Sequence, residues 1–177
     1  MLDQEQLDAL KIAIEKEIKI GNRQVGWKLG FGSPAGLAAL NIDRPLIGGL
    51  FDSGEIISST QIDLEAMIEP RVEAELAAHV CDDIPSDATL DQIKNCISSF
   101  VAGIELVDFH SPPVNPTFVL SENIYQRGWI VDKDTGTGWG DGANGCQITV
   151  TMGPEEWEPF KKIETLIGTL EDNFDRG

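Results

Sequence analysis

The stretch that most constrains this chain is Ile68–Val80, I-E-P-R-V-E-A-E-L-A-A-H-V. Its even positions (Ile68, Pro70, Val72, Ala74, Leu76, Ala78, Val80) are nearly all apolar. Its odd positions (Glu69, Arg71, Glu73, Glu75, Ala77, His79) are mostly polar. That is period two, a strand with one buried face. Ile68, Val72, Leu76 and Val80 also fall at i+4 steps, so periodicity alone admits a helix. Pro70 disfavours a helix running through the segment and allows one that starts there. The two readings differ chemically. On a strand, Glu73 and Glu75 share a face about 6.6 Å apart and can converge on one ion. On a helix they diverge by about 200°. Like charges on one face call for a cation or a proton between them.

Two further residues stand out of place. Glu105 sits in the apolar run Phe100–Asp108, where a carboxylate is costly unless it is paired or bound to a metal. The bland alternative is an edge-strand glutamate paired with an arginine. Lys28 shares its strand face only with Gly26 and Gly30, while Val25, Trp27, Leu29 and Phe31 occupy the other. Glycines beside a lysine leave room for a ligand, and a partly desolvated lysine can act as a base. The alternative is a solvated surface lysine. His79 and His110 lack ligand spacing and read as structural.

Charge narrows the classes of partner. Thirteen Lys+Arg stand against 30 Asp+Glu, a net charge of −17 in 177 residues. Such a balance opposes phosphate neutralisation, so no nucleic-acid partner is expected, and no polybasic membrane anchor. A hydrophobic fraction of 41% supports a real core. No window of about 18 apolar residues is present, and the acidic N-terminus is unlike a signal peptide. Cys81, Cys96 and Cys146 form no ligand pair or disulfide framework, which fits a reducing cytoplasm. No Gly-x-Ser-x-Gly elbow is present, and the glycines at 136–142 do not follow the dinucleotide fingerprint.

The remaining pattern mixes helices and strands without regular alternation, pointing to an α+β fold. A helix is expected over 3–20, capped by Asp3, with Leu7, Leu10, Ile14 and Ile18 as its stripe. Strands are expected over 25–31, 46–51, 55–60 and 101–107. Short helices are expected after Ser33-Pro34 and over 89–100. Residues 132–145 read as a loop, 147–152 as a strand and 154–170 as a final helix. One domain is expected: an N-terminal helix (1–22), a core carrying the site (23–131) and a divergent tail (132–177).

Gly26-Trp-Lys-Leu-Gly30 with Ser33-Pro34, then Arg71-Val-Glu-Ala-Glu75, Gly103-Ile-Glu-Leu-Val-Asp108 and Ser121-Glu-Asn-Ile-Tyr-Gln-Arg-Gly128 together resemble one family. It is the 2-keto-4-pentenoate hydratase and 4-oxalocrotonate decarboxylase family of the fumarylacetoacetate hydrolase superfamily. The resemblance implies a mixed sheet or distorted β-barrel-like fold, here shortened at its C-terminal end. It implies Glu73, Glu75 and Glu105 as ligands of Mg²⁺ or Mn²⁺, an all-oxygen set suited to a hard cation. It implies Lys28 as the proton-transfer residue, and substrate contacts from Gly30, Ser33 and Arg71.

The implied activity is hydration or decarboxylation of 2-hydroxy-dienoates and 2-oxo acids in aromatic catabolism. Both reactions pass through an enolate stabilised by the metal. A homo-oligomer, or a complex with a longer homologue, is the implied assembly. Where the family pattern has an acid in Pro-Asp-x-Gly, this chain has Pro45-Leu-Ile-Gly48. That departure favours one alternative, a catalytically inactive relative serving as an assembly or regulatory partner; the superfamily's other chemistry, an acylpyruvate C–C hydrolase, is a second.

Overall fold

The computed structural model describes residues 2–57, 59–133, 136, 151–152 and 155–156. The fold is α+β. Helix α1 (Gln4–Lys19) begins at a reciprocal cap. The Asp3 carboxylate accepts from the Gln6 N–H at 2.9 Å, and the Gln6 side chain accepts from the Asp3 N–H at 3.0 Å. Its buried face is Ala9, Leu10 and Ala13. Leu7 and Ile18, expected on that stripe, are exposed.

β1 (Gln24–Gly30) pairs antiparallel with β2 (Leu46–Phe51), setting Lys28 across from Gly48 and Gly30 across from Leu46. Between them α2 (Pro34–Leu40) starts at Ser33, whose hydroxyl accepts from the Gly36 N–H at 3.1 Å. Its cap residue Asn41 takes the left-handed conformation, which asparagine tolerates. β3 (Pro70–Val80), β4 (Ile97–Asp108) and β5 (Gln126–Val131) form a three-stranded sheet in that order. Segment 68–80 is therefore a strand, and the helical alternative falls away. Helices α3 (Leu90–Asn95) and α4 (Pro116–Ser121) precede β4 and β5.

Three expectations need correction. The helix expected over 89–100 stops at Asn95, and Ile97–Phe100 open β4. Ile97 and Phe100 pack with Leu76, Ala78 and Ile93, so their spacing served a sheet core. Among the described residues of 55–60 no strand forms beside β2. Glu55 makes a single parallel bridge to Trp129, and the Ile56 N–H donates to the Trp129 carbonyl at 2.8 Å. Glu155–Glu156 is not helical but forms β7, antiparallel to β6 (Thr151–Met152). The rest of the expected final helix, and nearly all of the 132–145 loop, lie outside the described residues.

The chain divides into two compact units, Met1–Glu73 with Ile104–Ile130, and Ala74–Gly103 with Val131–Gly177. The first holds the larger core, with Leu10, Leu40, Leu46, Val107, Leu120 and Tyr125 among its buried members. Among the described residues no sheet closes into a barrel, and no helix is long and apolar enough to cross a membrane.

Candidate functional site

β1 turns its apolar side chains outward and its lysine inward. Trp27 is 59% exposed and Lys28 only 9%. The buried ammonium is held by two acceptors. It forms an ion pair with Glu105 of β4 and donates to the Ile124 carbonyl at 3.3 Å. Glu105 is itself only 5% exposed. Burial pushes its carboxyl up from the ordinary range, the Lys28 charge opposes that shift, and Glu73 adds to it.

The second carboxylate comes from β3. The Phe109 N–H donates to the Glu69 carbonyl at 3.1 Å, and the Cys81 N–H to the Cys96 carbonyl at 2.8 Å. These bonds run β3 and β4 antiparallel. Glu73 lies on β3, beside the strand that carries Glu105. Glu75 follows two residues later on the same face of β3. One carboxylate oxygen from each of Glu73, Glu75 and Glu105 lies within 4.8 Å of the others. Glu73 is exposed, Glu75 half-buried and Glu105 buried. The feared alternative for Glu105, a pairing with arginine far from the other two, does not occur: its partner is Lys28.

The other singled-out residues are placed as follows. Arg71 pairs with Glu69 and lies over the Phe109 ring at 4.5 Å from its centroid. Ser33 is exposed, with its oxygen engaged in the α2 cap. The room beside Gly30 is filled by Ile124, whose Cγ2 would stand 2.5 Å from an added Cβ. His79 meets Ser99 at 3.2 Å, and His110 meets Glu122 at 3.1 Å. Leu46, where the resemblance implies an acid, is fully buried in the core.

Residue-type reasoning passed over a support built from 108 and 123–125. The Asp108 Oδ1 accepts both the Ile68 and Glu69 N–H groups, at 3.0 and 2.8 Å, tying the start of β3 to the end of β4. The Glu69 and Ile68 N–H groups hold its carboxyl below the usual range, assisted by Arg127 and His110 against the opposing effect of burial. Asn123, Ile124 and Tyr125 all take positive φ, at 48°, 54° and 60°. For β-branched Ile124 that is a strained choice. The sequence signal for this turn is slight: Asn123 alone among the three tolerates such a backbone readily.

No family model matches the chain. Curated relatives do match. A 2-keto-4-pentenoate hydratase of Burkholderia vietnamiensis is 36% identical over 89 residues, half of this chain and 34% of that protein. A 4-oxalocrotonate decarboxylase of a Pseudomonas species is 24% identical over 123 residues, 68% of this chain and 48% of that one. The chain is a relative of these hydratases and decarboxylases. Among solved structures, the 4-oxalocrotonate decarboxylase of Pseudomonas putida G7, complexed with magnesium and adipate, superposes with a TM-score of 0.78 at 19% identity. That match covers 92% of this chain and 64% of the decarboxylase, and it shows a shared fold. The chain thus spans about a third to a half of the curated relatives it matches, and under two thirds of the solved one.

Proposed function

We propose that this chain is a divalent-metal-dependent lyase, a hydratase or decarboxylase of 2-hydroxy-dienoates or 2-oxo acids. The observation that carries the reading is the meeting of Glu73, Glu75 and Glu105, with Lys28 on the buried member. Three carboxylate oxygens this close repel one another, and Lys28 offsets that charge at Glu105. An all-oxygen donor set of this kind fits Mg²⁺ or Mn²⁺. Glu73, Glu75 and Glu105 would hold the cation, and the chemistry it would supply is Lewis-acid stabilisation of developing negative charge. Lys28, screened from bulk water on β1, holds and moves the proton at the substrate carbon. Arg71, on the Glu73 face of β3, would offer a cation to a substrate carboxylate; substrate contacts from Gly30 and Ser33 rest on the resemblance alone. The relatives' names, hydratase and decarboxylase, support a lyase.

Mg²⁺ at a hundredfold excess over its Kd raises the melting temperature by about 5–10 °C. Glu73→Gln abolishes the shift, and an equal shift in that variant ends the metal assignment. Turnover is followed as loss of dienol absorbance with 2-hydroxypenta-2,4-dienoate and Mg²⁺. A second reading, an inactive relative serving as an assembly partner, is favoured by the core position of Leu46. A metal-induced shift without turnover on a panel of 2-oxo acids selects that reading.

A further inference from the structure

We propose that Asn123 is a positioning residue for Lys28, acting through a clamp on β2. The inference rests on the reading of Lys28 as the proton-transfer group. The Asn123 side chain takes both backbone groups of one residue: its Oδ1 accepts from the Gly49 N–H at 2.8 Å, and its Nδ2 donates to the Gly49 carbonyl at 2.9 Å. A third bond, from Nδ2 to Gln126 Oε1 at 3.3 Å, ties the amide to the start of β5. The next residue, Ile124, presents the carbonyl that accepts from Lys28 Nζ. The clamp and the acceptor are thus adjacent in a turn whose left-handed backbone does not persist without outside support.

The packing around the turn is equally specific. Gly48 lies across from Lys28 in the β1–β2 pair. A Cβ there would meet Asn123 Oδ1 at 2.9 Å, Lys28 Cγ at 3.1 Å and Ile124 Cδ1 at 3.3 Å. The missing side chain at 48 is therefore the space in which the asparagine amide, the lysine stem and the isoleucine meet. Gly30 leaves room for the same isoleucine on the other side. A lysine stem with several rotatable bonds needs such confinement to keep its amine on Glu105. The two glycines, the asparagine and the strained isoleucine fix the stem, and the Ile124 carbonyl fixes the head.

The test uses the full chain and two readouts that need no substrate. Asn123→Gly keeps the left-handed backbone accessible and deletes the clamp. Exchange of the Gly49 amide then accelerates by about fivefold, the worth of one hydrogen bond. Acylation of Lys28 by a small amine-reactive ester, read by peptide mass spectrometry, accelerates by a similar factor. Ile97→Ala, which loosens the separate cluster of Ile97 and Phe100, leaves Lys28 acylation near the wild-type rate. Asn123→Asp keeps the acceptor for the Gly49 N–H and restores its protection. Should Asn123→Gly not fold, Asn123→Asp carries the test alone, with Lys28 acylation raised through loss of the Gly49 carbonyl bond.

Faster Gly49 exchange with unchanged Lys28 acylation overturns the proposal, as does no change in either. Where turnover is measurable, Asn123→Gly lowers kcat with little effect on KM. If Lys28→Met retains full turnover while the acylation results hold, the proton-transfer reading fails and the clamp stands.

Discussion

β3 and β4 are neighbours in one sheet and supply the three carboxylates between them, yet they live in opposite environments. From Phe100 on, β4 is buried at every position except Ala102 and Ile104. β3 is exposed from Arg71 to Ala74, apolar Val72 included. Glu105 is accordingly a residue the core must accommodate, and Lys28 does so. Glu73 is exposed to water. The contrast separates two demands on the site. The buried end is preorganised by the fold through the Lys28–Glu105 pair, whereas on the proposed function the open end would be completed by a cation.

The sharpest way to break this comparison is to remove one charge from each end. Lys28→Met leaves Glu105 buried without a partner and costs about 3–5 kcal/mol in urea unfolding. Glu73→Gln, at an exposed position, changes stability by less than about 0.5 kcal/mol without metal. Comparable losses in the two variants would show that the ends are not independent. On the proposed function, Lys28→Met also lowers turnover by at least about a hundredfold.

A pair of glycine substitutions sharpens the same distinction. Gly30→Ala drives a Cβ to 2.5 Å from Ile124 Cγ2, a branched group fixed in a strained turn. Overpacking there costs about 1–3 kcal/mol. Gly128→Ala makes a contact just as short with the far end of Ile56. That side chain belongs to a segment tied to β5 by one bridge, and it moves aside. The two melting curves rank rigidity on the two sides, and the reverse order would contradict the clamp around Ile124.

What could be read in advance follows the reach of each interaction. The caps at Asp3, Ser33 and Thr89 are local chemistry, three residues long, and the sequence shows them directly. The alternation of 68–80 located Glu73 and Glu75 on one face once strand was chosen over helix. The choice itself needed the tertiary partner, β4. Ile97 and Phe100 misled because a three-residue spacing at the end of a helix also fits the opening of a buried strand. The inward turn of Lys28 could not be deduced from β1, where the aromatic and aliphatic face reads as the buried one. Its cause lies 77 residues away in Glu105. Asn123 is more hidden still, since its partner is the backbone of Gly49, 74 residues back, and backbone carries no sequence signal.

The joint between the two strands gives the mildest prediction. Asp108, the last residue of β4, fastens the two residues just before β3 through the Ile68 and Glu69 N–H groups. The folded protein therefore prefers the ionised carboxyl, and its pKa lies below the ordinary 3.8. A lowered acid contributes stability that is whole above its unfolded value and is lost as pH falls through the folded one. Urea midpoints measured from pH 5 downward thus decline more steeply in the wild type than in Asp108→Asn, whose amide oxygen keeps the acceptor without the charge. The variant begins slightly less stable at neutral pH, and the two profiles approach each other below pH 3.8. Parallel acid limbs would mean that the N–H groups at 68 and 69 gain nothing from the charge. The alignment of β3 on β4 would then rest on the ladder alone.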